Sequence, residues 1–274
     1  MEFIQISIDG ILYGSSYSLI ALGFSLVFGV MRRINLAYGS RLLLGVAIAL
    51  WFERTFNLSI ILFIPLVLIF CGIANIYVER LCFAPHASKA GVIVSMISSF
   101  AIWMQLDEMS SQLLPDRTHS FPSLEIPSFE LFGLFFRGDQ IFNIFIAFFI
   151  SAVLFFIINK SRFGIVLRAV SNSADTAKLM GCNVNLVNSL TFLLAGILGG
   201  VAAFLVLSTE SQVTPLFGFW CTIKGLVAMM IGGLGSLVGA FWGGLLLGLL
   251  EAHFAYQFGP VYREITTFGI LLII

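Results

Sequence analysis

Charged side chains are scarce in this sequence. Fourteen Lys and Arg residues balance fourteen Asp and Glu residues over 274 positions, so 10% of the chain is charged and the formal net charge is zero. Soluble domains carry about 25% charged residues. A chain this poor in charge cannot cover itself with polar surface in water, and a neutral chain offers no broad basic surface to a nucleic acid.

Residues that bind metals or form disulfides are also few. The four cysteines show no Cys-x-x-Cys spacing, and the three histidines, His86, His119 and His253, are scattered through the chain. Metal sites and disulfide frameworks place such residues at short, regular spacings. We therefore expect neither a metal site nor a disulfide framework.

Apolar segments are what the sequence has in abundance. Hydrophobic residues make up 59% of it, and its mean hydropathy is +1.04. A helix needs about 20 mostly apolar residues to cross the hydrocarbon layer of a bilayer. The sequence predicts one all-α polytopic membrane domain over residues 1–274, with about eight membrane-embedded helical segments in the lipid bilayer. These segments are Ile11–Met31, Ile34–Phe52, Leu58–Val78, Gly91–Leu114, Ile141–Ile158, Leu186–Leu207, Phe217–Leu250 and 266–274.

The segment Phe217–Leu250 is too long for one crossing. It contains Gly232-Gly233-Leu234-Gly235-Ser236, and each glycine weakens a helix by roughly 1 kcal/mol relative to alanine. We predict two short half-spans that meet near the middle of the bilayer. The polar stretch from Glu251 to Glu264 then lies outside the cell.

Basic residues concentrate in three short loops, which the positive-inside rule places in the cytoplasm. The long loop 115–140 instead holds more acidic than basic residues, and its three prolines interrupt any helix. We predict that this loop is external and that the N-terminus is external too. The basic residues of the three cytoplasmic loops are Arg32 and Arg33, then Arg80 and Lys89, then Lys160, Arg162, Arg168 and Lys178.

Polar, glycine-containing breaks occur in both halves of the chain. Unwound backbone inside a membrane domain offers free N–H and C=O groups, so paired breaks predict a substrate route. The alternative is that the glycines let helices pack closely. On the first interpretation, the residues lining the route are Asn35, Tyr38, Gly39, Ser40, Gly235 and Ser236.

Four ionisable residues lie within or beside apolar segments. We expect Arg41 to extend its charged group to the cytoplasmic surface and Lys224 to lie at the outer interface. Asp107 and Glu108 fall late in the fourth segment, near the predicted outer face. Intramembrane acids are candidates for function, although an exposed helix end also explains them.

The stretch 160–187 holds a short amphipathic helix. Asn172 or Ser173 is a good N-cap, Asp175 falls in the first turn, and Gly181 follows the last turn. An isolated two-turn helix is unstable in water, so its apolar face needs a partner. That face carries Ala174, Ala177 and Met180, with Leu179 beside them.

Several motifs follow one another in a fixed order along nearly the whole chain. They are Gly23 to Val30 with Ile34-Asn35-Leu36-Ala37, Glu79-Arg80, Arg162-Phe163-Gly164 with Arg168-Ala169-Val170, Ala177 to Val184, and Gly232 to Ser236 with Gly239 and Gly243-Gly244. With this ordered set the chain resembles the permease subunits of branched-chain amino acid ABC importers. The likeness is to the shorter of their two paired permeases.

The resemblance implies a transport subunit, not an enzyme. Such a subunit moves branched-chain or related amino acids into the cytoplasm and is a multi-pass protein of the bacterial inner membrane. Its implied partners are a second permease, two ABC ATPases and an external, periplasmic substrate-binding protein. No cofactor is implied in this chain, because ATP-Mg is bound by the partner ATPases and the sequence has no G-x-x-x-x-G-K-[ST] motif.

The resemblance also implies an ATPase-coupling segment, similar to residues 168–181. The residues that match it are Arg168, Ser173, Ala174, Ala177, Leu179 and Gly181. One departure stands out, because Tyr38 and Ser40 occupy positions where relatives usually have His and Glu. Two alternatives stay open: an ABC permease for urea or a short amide, and a self-contained ion-coupled carrier that uses Asp107 and Glu108.

Overall fold

The computed structural model describes residues 2–86, 91–115, 118–123, 126–131 and 134–274, so Lys89 lies outside the described residues, as do Asp116, Arg117 and Glu125 of the long loop. Within these ranges the chain is built from α-helices, which confirms the predicted all-α membrane class. Four strands of two or three residues form two antiparallel pairs, β1 with β4 and β2 with β3. The elements are α1 (Glu2–Met31), α2 (Tyr38–Phe56), α3 (Ile60–Val78, continued by a π-helical turn Glu79–Phe83), α4 (Val92–Leu113), β1 (His119–Ser120), β2 (Phe129–Leu131), β3 (Leu134–Phe136), α5 (Gly138–Lys160), α6 (Arg162–Asn172), α7 (Ala174–Leu179), α8 (Val184–Glu210), β4 (Gln212–Val213), α9 (Phe217–Gly232), α10 (Leu237–Phe258) and α11 (Val261–Ile273).

Six helices of the described part are long and apolar enough to cross a membrane, by length and composition. They are α1, α3 with its π-helical turn, α4, α5, α8 and α10. Two predicted segments fall short on length, because α9 has 16 residues and α11 has 13. Helix α2 has 19 residues but carries the charged residues Arg41, Glu53 and Arg54.

Helix α1 is the centre of the fold. In its most apolar window 83% of the residues are buried, against 17% for α4. Gly10, Gly14 and Ser18 recur every four residues and face Gly244 and Gly248 of α10. Small residues at this spacing let two membrane helices approach closely, and the Ser18 hydroxyl donates to the Phe241 carbonyl at 2.7 Å.

The break at 233–236 joins two antiparallel helices. Helix α10 has 22 residues, enough for a full crossing, and it packs back along α9 through Gly232 and Gly239. The prediction of two half-spans meeting in mid-membrane was therefore wrong. Glycine at this point serves helix-to-helix contact and the tight turn, in which Gly233 and Gly235 adopt positive φ.

The two ends of the helix bundle differ in charge. One end, called the basic end, carries segments 32–37, 79–86 and 161–183 together with the turn 233–236. Its segments touch one another, because Arg33 donates to the His86 carbonyl and Ser171 donates to Gly29, which also lies against Gly235. The opposite end carries the N-terminus, the β1–β4 pair and most of the acidic residues.

Candidate functional site

The first part of the predicted substrate route lies at the start of α2 and is packed solid. Tyr38 is fully buried and stacks on Phe24 with ring centroids 4.0 Å apart. The Gly39 N–H donates to Thr222 Oγ1 at 2.9 Å, and a Cβ at Gly39 would overlap the Gly218 carbonyl oxygen. These two residues therefore hold α2 against α1 and α9. Neither residue lines the two cavities described below.

The remaining residues of that route are divided between two places. Asn35 is buried and its Oδ1 accepts from the Ala37 N–H at 3.1 Å, so it fixes the turn into α2. Gly235 and Ser236 also lie at the basic end but in a different turn, where the Ser236 hydroxyl caps α10 by accepting from the Gly239 N–H at 3.1 Å. The structure thus brings Asn35 close to Tyr38 but does not join them to the α9–α10 turn.

Arg41 does not reach either surface. Its residue exposure is 0%, its Nε donates to the Tyr38 carbonyl at 2.9 Å, and its guanidinium lies 3.8 Å from the Tyr38 ring centroid. Neither Nη1 nor Nη2 has a hydrogen-bond partner among the residues described. The expectation that Arg41 reaches the cytoplasmic surface was wrong, because α2 is surrounded by α3, α4, α8 and α9 on the way out.

A cavity of about 390 Å³ opens between α2, α4 and the β1–β4 pair at the opposite end. Asp107 lines it and accepts from the Trp103 indole at 2.6 Å. The side chain of His119 also lines it, with Nε2 lacking a hydrogen-bond partner in the described part. Buried Ser40 lies beside the Asp107 carboxyl, although its Oγ makes no well-formed hydrogen bond there. Of the predicted route, Ser40 lies next to a residue that lines this cavity, Asp107, but does not itself line it.

A buried charged cluster, formed by Tyr17, Lys224, Glu251, Arg263 and Thr267, joins α1, α9, α10 and α11. Glu251 has 0% exposure and lies at its centre. Its Oε2 accepts from Tyr17 at 3.0 Å, from Lys224 at 3.2 Å and from Arg263 at 2.9 Å, and its Oε1 accepts from Thr267. The cluster locks the last helix onto the bundle.

Two sequence-based expectations fail at this cluster. Lys224 is buried and paired, where we expected an interfacial side chain, and Glu251 is a core residue of α10 where we expected an external polar stretch. The reason is that three helices supply neutralising partners from distant parts of the chain. The sequence did contain a signal for this pairing, because ionisable residues inside apolar membrane helices are usually functional or paired with an opposite charge.

A second cavity, of about 140 Å³, borders this cluster. Lys224, Arg263 and Glu264 line it from α9 and α11, while Gln140, Asn143 and Glu210 line it from α5 and α8. Its remaining walls are largely apolar and include Leu12, Ile20, Val206, Phe217 and Trp220. The cavity therefore combines charges of both signs with apolar surface at the opposite end of the bundle.

The predicted coupling segment forms two helices. The Ser161 hydroxyl caps α6 by accepting from Gly164 N at 3.1 Å, and the Ser173 hydroxyl caps α7 by accepting from Thr176 N at 3.3 Å. Gly181 ends α7 in the left-handed region with φ 82°. Ser173 was a predicted N-cap and Gly181 was the predicted stop, so local signals located α7, whereas α6 was missed.

The apolar face of α7 is split between the chain itself and solvent. Ala177 is 4% exposed and packs inward, whereas Leu179 is 88% exposed and Met180 is 81% exposed. Of the predicted apolar face, Ala177 is therefore the part that the chain itself covers, whereas Ala174 lies on the exposed side. Arg168 donates to the Ile158 carbonyl and so caps the end of α5.

Among the described residues no group of three or more His, Cys, Asp or Glu side chains is placed to hold a metal ion. The four cysteines are free thiols, and Cys71, Cys82 and Cys221 are buried.

Comparison with known proteins gives consistent findings. Residues 6–274 match the family model described as "Branched-chain amino acid transport system / permease component". The chain is 30% identical to the high-affinity branched-chain amino acid transport system permease protein BraD of Pseudomonas aeruginosa, over all of this chain and 93% of that one. It is 27% identical to the corresponding permease protein LivH of Escherichia coli, with the same coverage.

Among solved structures, the chain resembles one described as PsaBC from Streptococcus pneumoniae in complex with Fab. The TM-score is 0.52 at 15% identity, over 100% of this chain and 91% of that one. This likeness concerns the fold alone. The family match covers nearly the whole chain, and the chain therefore belongs to the permease components of branched-chain amino acid transport systems, as a transport component rather than an enzyme.

Proposed function

We propose that this chain is the shorter permease of an ATP-driven importer of branched-chain amino acids in the bacterial inner membrane. It works with a second permease, two ABC ATPases that bind ATP-Mg, and an external substrate-binding protein. The names of the relatives supply the substrate class. A self-contained ion-coupled carrier using Asp107 and Glu108 is not favoured, because the relatives are named as permease proteins of transport systems.

The exposed tip of α7 carries the proposal. Leu179 and Met180 present two large apolar side chains to solvent, at the end of a helix held by a cap at each terminus. Anchored by Ala177 and rigid at both ends, this tip is a preformed contact for a cytoplasmic partner. We infer that the ATPases dock here, with residues 160–187 as the coupling loop.

The contacts of α6 suggest how docking reaches the substrate route. Helix α7 packs on α6, and Ser171 of α6 donates to Gly29 near the end of α1. Gly29 also lies against Gly235 in the α9–α10 turn. Because α1 runs from this point to the charged cluster, movement of α6 is transmitted along a rigid helix to the opposite end, and the transporter alternates between outward-open and inward-open forms.

The docking proposal is tested with Leu179→Asp, which places a charge at the exposed tip. The matched control is Leu216→Asp, a change of the same kind at a residue that is 60% exposed at the opposite end. We expect Leu179→Asp to abolish co-purification of the ATPase and ATP-driven leucine uptake in proteoliposomes, with the second permease still bound. Normal uptake by that variant, or equal loss in the control, contradicts docking at α7.

The charge asymmetry supports a cytoplasmic basic end and an external N-terminus. Cys182, at the end of α7, is the least buried of the four thiols and reports on this arrangement. A membrane-impermeant maleimide is expected to label it in inside-out vesicles and not in right-side-out vesicles, with Cys182→Ser as the control. Labelling in right-side-out vesicles contradicts the proposed orientation.

A further inference from the structure

The cavity beside the charged cluster has two walls of different character. Helices α9 and α11 supply the cations Lys224 and Arg263, together with Glu264. Helices α5 and α8 supply Asn143 and the carboxylate of Glu210. Positive and negative groups therefore face the same small space from different sides.

Both walls hold hydrogen-bonding capacity that the described residues do not use. An ammonium group has three N–H donors, and Lys224 finds two acceptors within hydrogen-bond distance, Tyr17 and Glu251. Its third contact, to Glu264, is an ion pair of 3.7 Å.

On the other side, Asn143 is 3% exposed and its amide donates to the Leu205 carbonyl and to Thr209. Its Oδ1 has no hydrogen-bond partner within the described ranges, and neither does Oε2 of Glu264. A buried polar atom without a partner costs about 1–3 kcal/mol, so an amide oxygen that borders a cavity indicates a ligand or water there.

The geometry points to a binding site for the zwitterion of an α-amino acid with an apolar side chain. We propose that the carboxylate binds Lys224 and Arg263, that the ammonium binds Glu210 and the Asn143 oxygen, and that the side chain contacts the apolar wall. This inference rests on the proposed function and names the place where this chain holds its substrate. A neutral amide such as urea leaves both charged walls without a counterpart.

The size of the cavity fits this ligand. Its volume of about 140 Å³ is well above the roughly 10–15 Å³ at which a cavity first admits one water. The cavity can therefore admit a small organic ligand. Val206, on the apolar wall, is the residue against which a branched side chain packs.

Binding is measured on the purified complex of this chain with its second permease and ATPases, without the substrate-binding protein. The probes are L-leucine, leucinamide, which lacks the carboxylate, and 4-methylpentanoate, which lacks the ammonium; urea is the fourth. We expect leucine to bind and each of the other three to bind at least tenfold more weakly. Equal binding of leucine and 4-methylpentanoate overturns the proposal, as does competition by urea.

Two variants test the site without touching the buried cluster. Glu210→Gln removes one exposed charge, and Val206→Phe fills the apolar part while keeping every charge. Each is expected to raise the Kd of leucine at least tenfold, whereas the control Glu53→Gln, a carboxylate of α2 outside the cavity, leaves it within twofold. Unchanged leucine binding in both variants, with the chain folded as judged by its melting temperature, refutes the site.

ATP-driven leucine uptake with the binding protein present separates this inference from the proposed function. Uptake by the wild-type complex together with unchanged leucine binding in both variants overturns the site and leaves the importer function standing. Leucine binding that needs both its carboxylate and its ammonium, in a complex that shows no ATP-driven uptake, supports the site and overturns the importer function.

Discussion

The buried carboxylate of Glu251 makes the sharpest prediction about stability. It accepts hydrogen bonds from Tyr17, Lys224 and Arg263 through one oxygen and from Thr267 through the other. Changing Glu251 to Gln keeps the shape but removes the charge and turns one oxygen into a donor. Two cations then share a buried space without their central counter-ion.

The size of the effect follows from burial. Removing one member of a buried ion pair costs about 3–5 kcal/mol, because the remaining charge is left uncompensated. The Arg263 side chain is 30% exposed, so water relieves part of this cost and we expect about 3 kcal/mol. For a chain of this size each kcal/mol lowers the melting temperature by about 2–4 °C, which gives a loss of about 6–12 °C.

Three buried cysteines provide the assay. A thiol-reactive fluorogenic dye reports heating-induced exposure of Cys71, Cys82 and Cys221, with all variants heated at one rate in one detergent. The control is Glu264→Gln, since Glu264 lies 3.7 Å from Lys224 with its side chain 36% exposed. Because the Glu264 side chain reaches solvent and its distance from Lys224 is long, we expect this pair to contribute about 1 kcal/mol or less.

A double variant completes the test of the cluster. Glu251→Gln leaves two cations without their counter-ion, and adding Lys224→Met removes one of them. We therefore expect the double variant to lose less stability than the sum of the losses of the two single variants. Melting temperatures of Glu251→Gln and Glu264→Gln within about 2 °C of each other refute the reasoning, and so do fully additive costs in the double variant.

Two glycine substitutions test close packing and turn geometry. Gly39→Ala places a methyl group on the Gly218 carbonyl oxygen. We expect it to prevent a stable fold, seen as loss of the monodisperse peak in size-exclusion chromatography. The tolerated control is Gly29→Ala, because the atom nearest to its Cβ is 3.5 Å away. Gly181→Ala forces an L residue to φ 82°, which costs about 1–2 kcal/mol. We expect this variant to be cleaved faster by a protease after α7. The control Gly269→Ala, which has open space around its Cβ, is expected to leave the cleavage rate unchanged. Wild-type behaviour of Gly39→Ala or Gly181→Ala contradicts the respective reasoning.

The sequence was sufficient to predict the structure wherever the interactions that determine it are local. Composition alone gave the all-α membrane class, because no other architecture accommodates so many long apolar segments. Helix α7 was also located correctly, since Ser173 and Gly181 act on backbone groups within three residues of themselves. Such caps are chemically specific, and no distant part of the chain is needed to interpret them.

The sequence was insufficient to predict the structure wherever segments distant in the chain come into contact. A run of glycines weakens a helix whether it lies in mid-span or at a turn, and only the contact of Gly232 with Gly239 shows that α10 folds back on α9. Lys224 and Glu251 are 27 residues apart and were each assigned to the outer surface, because each was considered with its sequence neighbours alone. Only the packing of α9, α10 and α11 brings them together.

Arg41 shows how a residue that is unfavourable alone becomes tolerable beside a particular neighbour. Burying a guanidinium without a carboxylate is costly, yet the Tyr38 ring lies 3.8 Å from the Arg41 guanidinium carbon and the Tyr38 carbonyl accepts from its Nε. A desolvated cation–π contact is worth about 2 kcal/mol. The tyrosine that stands where the resemblance implies histidine therefore offsets part of the cost of burying Arg41, whose Nη1 and Nη2 have no hydrogen-bond partner in the described part of the chain. Tyr38 and Arg41 thus form one structural unit, in which the aromatic ring partly compensates for the buried charge.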